Sequence, residues 1–160
     1  MIATARVDRD DLGFLLAKAT QRWNELLAER FAEQGYGDVR PSYGSVLLPL
    51  YEEDGVRMGE LAARARLSKQ TMTRSIARLE RDGLVERRAD PSDARAALVY
   101  LTTRARSFEP VAAVVLAELD TLVKRQLGTQ RVAAVKDALR ELMDLDVRRS
   151  AGARSRSTAA

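Results

Sequence analysis

The sequence predicts a mainly α protein with a small β-wing, on three observations. Apolar residues recur at spacings of three and four in long stretches near both ends of the chain. Between them lie two short helical patterns separated by three residues, the last of which is a good helix-capping serine. A turn rich in Pro, Asp and Ser then leads into an alternating, β-rich run. Of the 160 residues, 46% are hydrophobic and only 5% aromatic, which is the usage of a helical protein.

The elements follow in order. Residues 10–32 are expected to form a helix, with Leu12, Leu16, Ala19, Trp23, Leu26, Leu27 and Phe31 on one stripe and Asp8, Asp10 and Asp11 suited to its N-terminus. The segment GYGDVRPSYG breaks that pattern. Pro41 can open a second helix, roughly 41–52, which Pro49 should kink or shorten. A short helix is expected over 59–65, then the turn RLS, then a helix over 69–82 capped by Ser68 and stopped by Gly83. Residues 84–88 should form a strand, 89–96 a turn, and 97–102 the strand that pairs back. A long helix over 104–127, with Pro110 as its expected bend, is followed by Gly128 and Thr129 as cap and by a last helix over 130–146. The Ser/Arg/Ala tail has nothing to bury and is expected to be disordered.

Charge and absent residue types narrow the function. The net charge is +4, but residues 148–160 hold four arginines and no acid, so the body is neutral overall. Within that body, residues 57–95 hold ten bases against six acids. A neutral body with one basic patch suits a polyanion better than uniform basicity would. The chain has no Cys and no His. Disulfides, thiol redox sensing, Cys/His zinc sites and His-based catalysis are thereby excluded. No apolar run approaches about 18 residues, and the N-terminus lacks a signal-peptide core. The expectation is a cytoplasmic, nucleoid-associated protein with no membrane contact.

Two short helices, a three-residue turn and a β-hairpin make the pattern of a winged helix-turn-helix. In that arrangement the second helix enters the DNA major groove, its N-terminal residues facing base edges. Here its first turns read Ser68, Lys69, Gln70, Thr71, Met72, Thr73 and Arg74. Met72 should point inward with Ile76. Gln70 can pair with adenine, and Arg74 or Lys69 with guanine, while Ser68, Thr71 and Thr73 can bond bases or phosphates. Arg78 shares the face of Arg74 and should meet the backbone, with Arg88 as a further contact from the first wing strand. Arg95 is the only cation between Arg88 and Arg104. It suits a narrow minor groove. Asp93 is placed to brace Arg95 or a turn amide. A charged helix face is usually only a solvated face, so the ordered set carries the argument and no single residue does.

The run MGELAARARLSKQTMTRSIARLERDGLVERRADPSDARAALVYLTTRAR closely resembles the MarR family, the multiple-antibiotic-resistance-type regulators. The matching pieces are Glu60-Leu61-Ala62, Thr71/Thr73/Arg74, Leu79-Glu80 with Gly83-Leu84-Val85, and Asp93/Arg95 with Leu101-Thr102. The flanking helices resemble the family in layout. The resemblance implies a homodimer whose N- and C-terminal helices interlock and place two winged lobes on a pseudo-palindromic site in double-stranded DNA. The apolar stripes of 10–32, 104–127 and 130–146 agree, since one small chain cannot easily cover them. Two positions depart from the family: Ala94 replaces the first of two wing arginines, and Met58 stands where Ser or Thr often caps the first motif helix.

The fold class is therefore a winged helix-turn-helix lobe plus a helical dimerisation region. The boundaries are 1–40 for the N-terminal dimerisation helix and connector, 41–103 for the DNA-binding lobe, 104–147 for the C-terminal dimerisation helices and 148–160 for the basic tail. The function expected is a transcriptional regulator, a repressor relieved by a ligand. Many relatives of the family bind small aromatic or anionic effectors between the dimerisation helices and the lobe. Trp23 and Tyr43 are the leading candidates here, with Tyr36, Tyr51, Arg22 and Arg40 nearby in sequence, although aromatic residues at helical spacing more often simply pack. No cofactor, metal or catalytic residue is expected: there is no Gly-rich phosphate loop and no nucleophile with a plausible base. A winged helix serving only as a protein scaffold would tend to lose the charge that Lys69, Arg74, Arg78 and Arg81 retain.

Overall fold

The computed structural model describes residues 8–145. It divides after Leu116 into two compact units. The first holds α1 (Leu12–Glu33), a 3-10 turn (Pro41–Tyr43), α2 (Gly44–Glu52), β1 (Val56–Arg57), α3 (Met58–Arg64), α4 (Lys69–Arg81), β2 (Val85–Asp90) and β3 (Asp93–Leu101). It also takes in the first part of α5 (Thr103–Leu127). The second unit contains the rest of α5 and α6 (Thr129–Met143). The mainly α architecture with a small β-wing is as the sequence predicts.

Local chemistry sets the element ends. The Asp11 carboxylate accepts the Gly13 and Phe14 amides at 2.9 and 3.3 Å and starts α1. Near its other end Leu27 and Phe31 are buried, and Phe31 meets Phe108 edge-on with ring centroids 4.9 Å apart. Pro41 opens the 3-10 turn, where its missing N–H costs nothing. Pro49 lies inside α2, which stops three residues later at Glu52. The helix is shortened, as expected of a proline late in a helix. The first motif helix, α3, starts at Met58 without a side-chain cap, as its sequence implies.

The wing differs from the expected hairpin. The sheet is three-stranded, ordered β1-β3-β2, with both pairings antiparallel. The turn is not eight residues: β2 and β3 run on to leave only Pro91 and Ser92 between them. The cause is Asp90, whose Oδ1 accepts the Ser92 amide at 2.8 Å and the Ser92 hydroxyl at 2.7 Å, closing the chain within two residues. A register shift between Ala89 and Asp90 absorbs the irregularity. The two-residue β1 is too short to leave an alternating pattern in the sequence, so only pairing with Val99 and Leu98 reveals it.

The α5 helix is continuous over 25 residues with Pro110 inside it. The last helix spans Thr129–Met143 rather than 130–146. Gly128 (φ +90°) precedes it with no side-chain cap, so Thr129 is the first helical residue and not a cap. In this second unit the Asp120 carboxylate holds Lys124 on its own helix at 2.6 Å and Lys136 on α6 at 2.5 Å. Leu119 and Val132 are buried there. Expected residues 146 and 147, and the tail at 148–160, lie outside the described residues.

The core of the first unit is built from Leu47, Leu50, Leu61, Met72, Ile76, Leu79, Leu84 and Val99, all with almost no exposure. Helix α4 packs on α3 and β2, and α2 packs on α3 and β3. Ile76→Ala should cost about 2–5 kcal/mol, because it removes a fully enclosed side chain. Chemical denaturation with an unchanged m-value measures this; a loss under about 1 kcal/mol would show that the core collapses around the gap.

Candidate nucleic-acid interface

Helix α4 begins where the Ser68 hydroxyl accepts the Thr71 amide at 3.1 Å. Met72, Ile76 and Leu79 lie on one side of the helix and are buried. Helical periodicity then turns Gln70, Thr73, Arg74, Ala77, Arg78 and Arg81 to the opposite, exposed side. The predicted face is therefore formed, but its hydroxyls are partly engaged. Ser68 Oγ lies 2.8 Å from Thr71 Oγ1 in addition to its capping bond, and Thr73 Oγ1 donates to the Lys69 carbonyl at 2.9 Å. Gln70 and Arg74 are the long, exposed donors in the first two turns.

Ion pairing sorts the lobe's cations. Arg64 is held by Glu53 and Glu60, Arg81 by Asp82, and Arg57 by Asp90. Arg87 binds Glu80 on α4 at 2.8 Å and so ties the root of the wing to that helix. Arg88 pairs with Glu86 and stacks on Tyr100, its guanidinium carbon 4.4 Å from the ring centroid. Lys69, Arg74, Arg78 and Arg95, all exposed, have no acidic partner among the described residues. Of the predicted contacts, Arg88 thus pairs with Glu86 and rests on Tyr100, whereas these four have no acidic partner among the described residues.

The wing tip is braced from both sides. Asp93 Oδ1 accepts the Arg95 amide at 3.0 Å, so Asp93 supports the turn backbone rather than the Arg95 guanidinium. Asp90 is buried and binds Arg57 through Nε at 2.7 Å and Nη2 at 2.6 Å. Arg57 Nη2 also donates to Ser92 Oγ at 2.9 Å. This clamp joins the hairpin turn to the residue just before α3. Sequence reasoning misses it, because Arg57 and Asp90 are far apart along the chain and β1 leaves no pattern of its own.

The end of α4 is held by a second polar cluster. Tyr43 is buried, and its hydroxyl donates to the Asp82 carboxylate. Arg104 Nη1 donates to the Asp82 carbonyl at 2.6 Å, and its Nη2 reaches Asp38 at 2.5 Å. Arg81 and the Tyr43 hydroxyl hold the Asp82 carboxyl below its ordinary pKa; burial and the Asp82 contact push the Tyr43 phenol up. Thr102 bridges the same region, donating to the Gly83 carbonyl at 2.7 Å and accepting the Ala105 amide.

The two effector candidates separate. Tyr43 is buried, its hydroxyl donates to Asp82, and it is absent from the lining of the apolar cavity beside α1. Trp23 is half-exposed and lines a mainly apolar cavity of 260 Å³ with Leu27, Phe31, Leu47, Leu48, Tyr51 and Phe108. Arg40 is the single cation in that lining. The Tyr51 hydroxyl donates to the Ala105 carbonyl at 3.0 Å, and burial pushes its pKa up to about 12. Tyr36 stacks against Phe108 instead.

The Asp90 clamp makes stability depend on pH. Hydrogen bonds from Ser92 and Arg57 hold the Asp90 carboxyl below its ordinary value of 3.8. A depressed carboxylate pKa contributes stability above the unfolded value and loses it as pH falls through the folded one. Asp90→Asn should therefore be less stable than the parent at neutral pH, and the difference should close below about pH 3.8. Thermal melts across roughly pH 2.5–7 test this; a gap that stays constant with pH would mean the carboxylate charge does no work there.

Comparison with known proteins agrees with this geometry. The sequence model of the MarR family matches residues 38–96. A curated relative, the HTH-type transcriptional regulator TtmR of Methylorubrum extorquens (strain PA1), is 38% identical over 64 residues, which are 40% of this chain and 33% of that protein. The chain thus aligns with about a third of the curated relative's length. Among solved structures, the PcaV regulator of Streptomyces coelicolor in complex with its natural ligand superposes with a TM-score of 0.73 at 24% identity, covering 88% of this chain and 98% of that one. A cysteine-to-serine mutant of MarR from E. coli, complexed with operator DNA, gives a TM-score of 0.70 at 26% identity, covering 82% and 92%. The lobe over residues 38–96 thus matches the MarR family in sequence, and the helices and wing are similar in fold to the MarR mutant.

Proposed function

We propose that this chain is a sequence-specific regulator of transcription that binds double-stranded DNA as a homodimer on a pseudo-palindromic operator. The carrying observation is the sorting of charge on the lobe. Arg57, Arg64, Arg81 and Arg87 are paired within the chain, while Lys69, Arg74 and Arg78 on α4 and Arg95 on the wing have no acidic partner among the described residues. Gln70 and Arg74 are the base readers, Lys69 and Arg78 the phosphate contacts, and Arg95 the minor-groove contact. Ser68, Thr71 and Thr73 offer hydroxyl lone pairs beside their local bonds, and Arg88 contributes positive potential from β2. The MarR mutant with a similar fold was solved with operator DNA, which supports this assignment.

Both units leave large apolar side chains exposed. Leu12, Phe14, Leu15 and Val114 do so in the first, and Leu122, Leu127, Val135, Leu139 and Met143 in the second. Burial against a second copy is the economical explanation, and it supplies the second half-site. On this reading residues 1–40 and 104–147 make the dimer, and 41–103 the lobe. The protein acts in the cytoplasm on the nucleoid; no helix of the described residues is long and apolar enough to cross a membrane.

Relief by a ligand is the second part of the proposal. The 260 Å³ cavity is of the size that encloses a single aromatic ring, and Arg40 would favour an anionic group on it. The segment around the 3-10 turn has two functions: Arg40, Pro41 and Gly44 line the cavity, while Tyr43 holds the C-terminal end of α4. Filling the cavity would thus bear on the recognition helix through residues it touches directly. PcaV, of similar fold, was solved with its natural ligand.

Gel-shift titration against the DNA upstream of the chain's own gene tests the proposal. No shift at about 50 mM salt with micromolar protein would overturn it, because phosphate contacts are strongest there. Arg74→Ala should cost about 1–3 kcal/mol of specific binding and relax base preference at one position per half-site. Arg95→Ala should weaken binding and flatten its salt dependence; an unchanged slope in log K against log salt would show that the wing does not touch the backbone.

A further inference from the structure

A small, mainly apolar cavity of 230 Å³ lies between the start of α3 and the first turns of α4. Met58, Gly59, Lys69 and Thr73 line it. Met58 is half-buried and the other three are exposed. Thr73 Oγ1 is turned back to the Lys69 carbonyl at 2.9 Å, so the methyl is the group this side chain has left to present. Lys69 brings an aliphatic stem and an exposed ammonium with no acidic partner among the described residues. Lys69 and Thr73 are also the immediate chain neighbours of Gln70 and Arg74, the proposed base readers. An apolar recess thus stands at the edge of the polar face of α4.

Gly59 supplies a second, independent observation. Glycine in a helix is less stable than alanine. Gly59 is in the first turn of α3 and does not have a positive φ. A Cβ added to it would meet nothing within 4 Å among the described residues. Neither its backbone conformation nor packing within the described chain calls for a glycine there. Bare backbone suits a place where another molecule comes close. In a helix-turn-helix the first helix crosses the DNA backbone while the second lies in the major groove. Gly59 then faces the groove wall, and the recess opens on the base edges just inside it. The apolar group that a base presents in this groove is the C5-methyl of thymine. It projects from the side of the base nearest its own strand, so a helix at the groove wall meets it first. Methionine adapts its shape to such a group.

We propose that this recess seats a thymine methyl, and that Met58 is a specificity-determining residue selecting thymine at one position of each half-site. Gly59 leaves room for the strand to approach. The Met58 side chain and the Thr73 methyl enclose the thymine methyl, and the Lys69 ammonium meets the adjacent phosphate. The inference rests on the reading of α4 as the groove helix.

The test uses the full chain and a fluorescein-labelled duplex from upstream of the gene. Each thymine is replaced in turn by deoxyuridine, which keeps the base pair and lacks only the methyl, and anisotropy titration gives the affinity. Replacement at one position per half-site should weaken binding about fourfold, the worth of one buried methyl. Met58→Ala should bind the thymine duplex as weakly as the parent binds the deoxyuridine duplex, and should no longer distinguish the two. Thr73→Ser, which deletes the methyl and keeps the hydroxyl, should narrow the discrimination in the same way. Met58→Leu should retain it. Two results overturn the inference: no thymine whose replacement weakens the parent, or a discrimination that folded Met58→Ala leaves intact. If Met58→Ala does not fold, Thr73→Ser decides by the same criterion. A parent protein that binds no upstream duplex at about 50 mM salt overturns the DNA-binding reading itself, and this inference with it.

Discussion

Burial of one face of α4 is the constraint from which the interface follows. Met72, Ile76 and Leu79 have essentially no exposure, so the rotation of this helix about its axis is not adjustable. With that rotation set, periodicity alone turns Gln70, Arg74 and Arg78 outward. A shift of the buried stripe by one residue towards the N-terminus would place Arg78 where Leu79 is buried, and an unpaired guanidinium is far too costly to bury there. The hydrophobic effect thus aims the polar face. The polar residues themselves have little say in where they point.

Rotation does not fix the height or tilt of the helix, and two polar clusters do that. Ser68 starts the helix, while Tyr43, Arg104 and Thr102 hold its far end through Asp82 and Gly83. Arg87 and Glu80 couple it to the wing, and Arg57 with Asp90 couples the wing turn to the residue before α3. Most of these pairs join segments distant in sequence. Most also lie at the lobe's surface, where an isolated ion pair contributes little to stability. Their value is geometric: they hold the helix and the wing in one relation, so that two protein elements present their charges together.

The cations divide along the same lines. Arginines that pair with acids make the scaffold, and Lys69, Arg74, Arg78 and Arg95, without such a partner in the described chain, make the surface proposed for DNA. This distinction refines composition. A local excess of base over acid says only that a polyanion is a suitable partner. Pairing says which side chains retain the field. Arg88 shows the difference, since its charge is shared with Glu86 and its face rests on Tyr100.

The helices, the capping serine, the buried stripe of α4 and the existence of a wing can all be read from the order of residues. All of these depend on local spacing, which a single chain displays directly. The lobe's resemblance to the MarR family was legible for the same reason, because its pieces are consecutive. What depends on pairing across distance came only with the folded chain. It shortened the wing turn through Asp90, revealed β1 through its partner strand, joined Tyr43 to Asp82 at the end of α4, and gave Arg57, Arg87 and Arg88 internal partners. It also showed Arg66 in a left-handed conformation, which no spacing rule anticipates for an arginine. Local periodicity specifies which face a residue is on; only packed neighbours specify whether its charge is already spent.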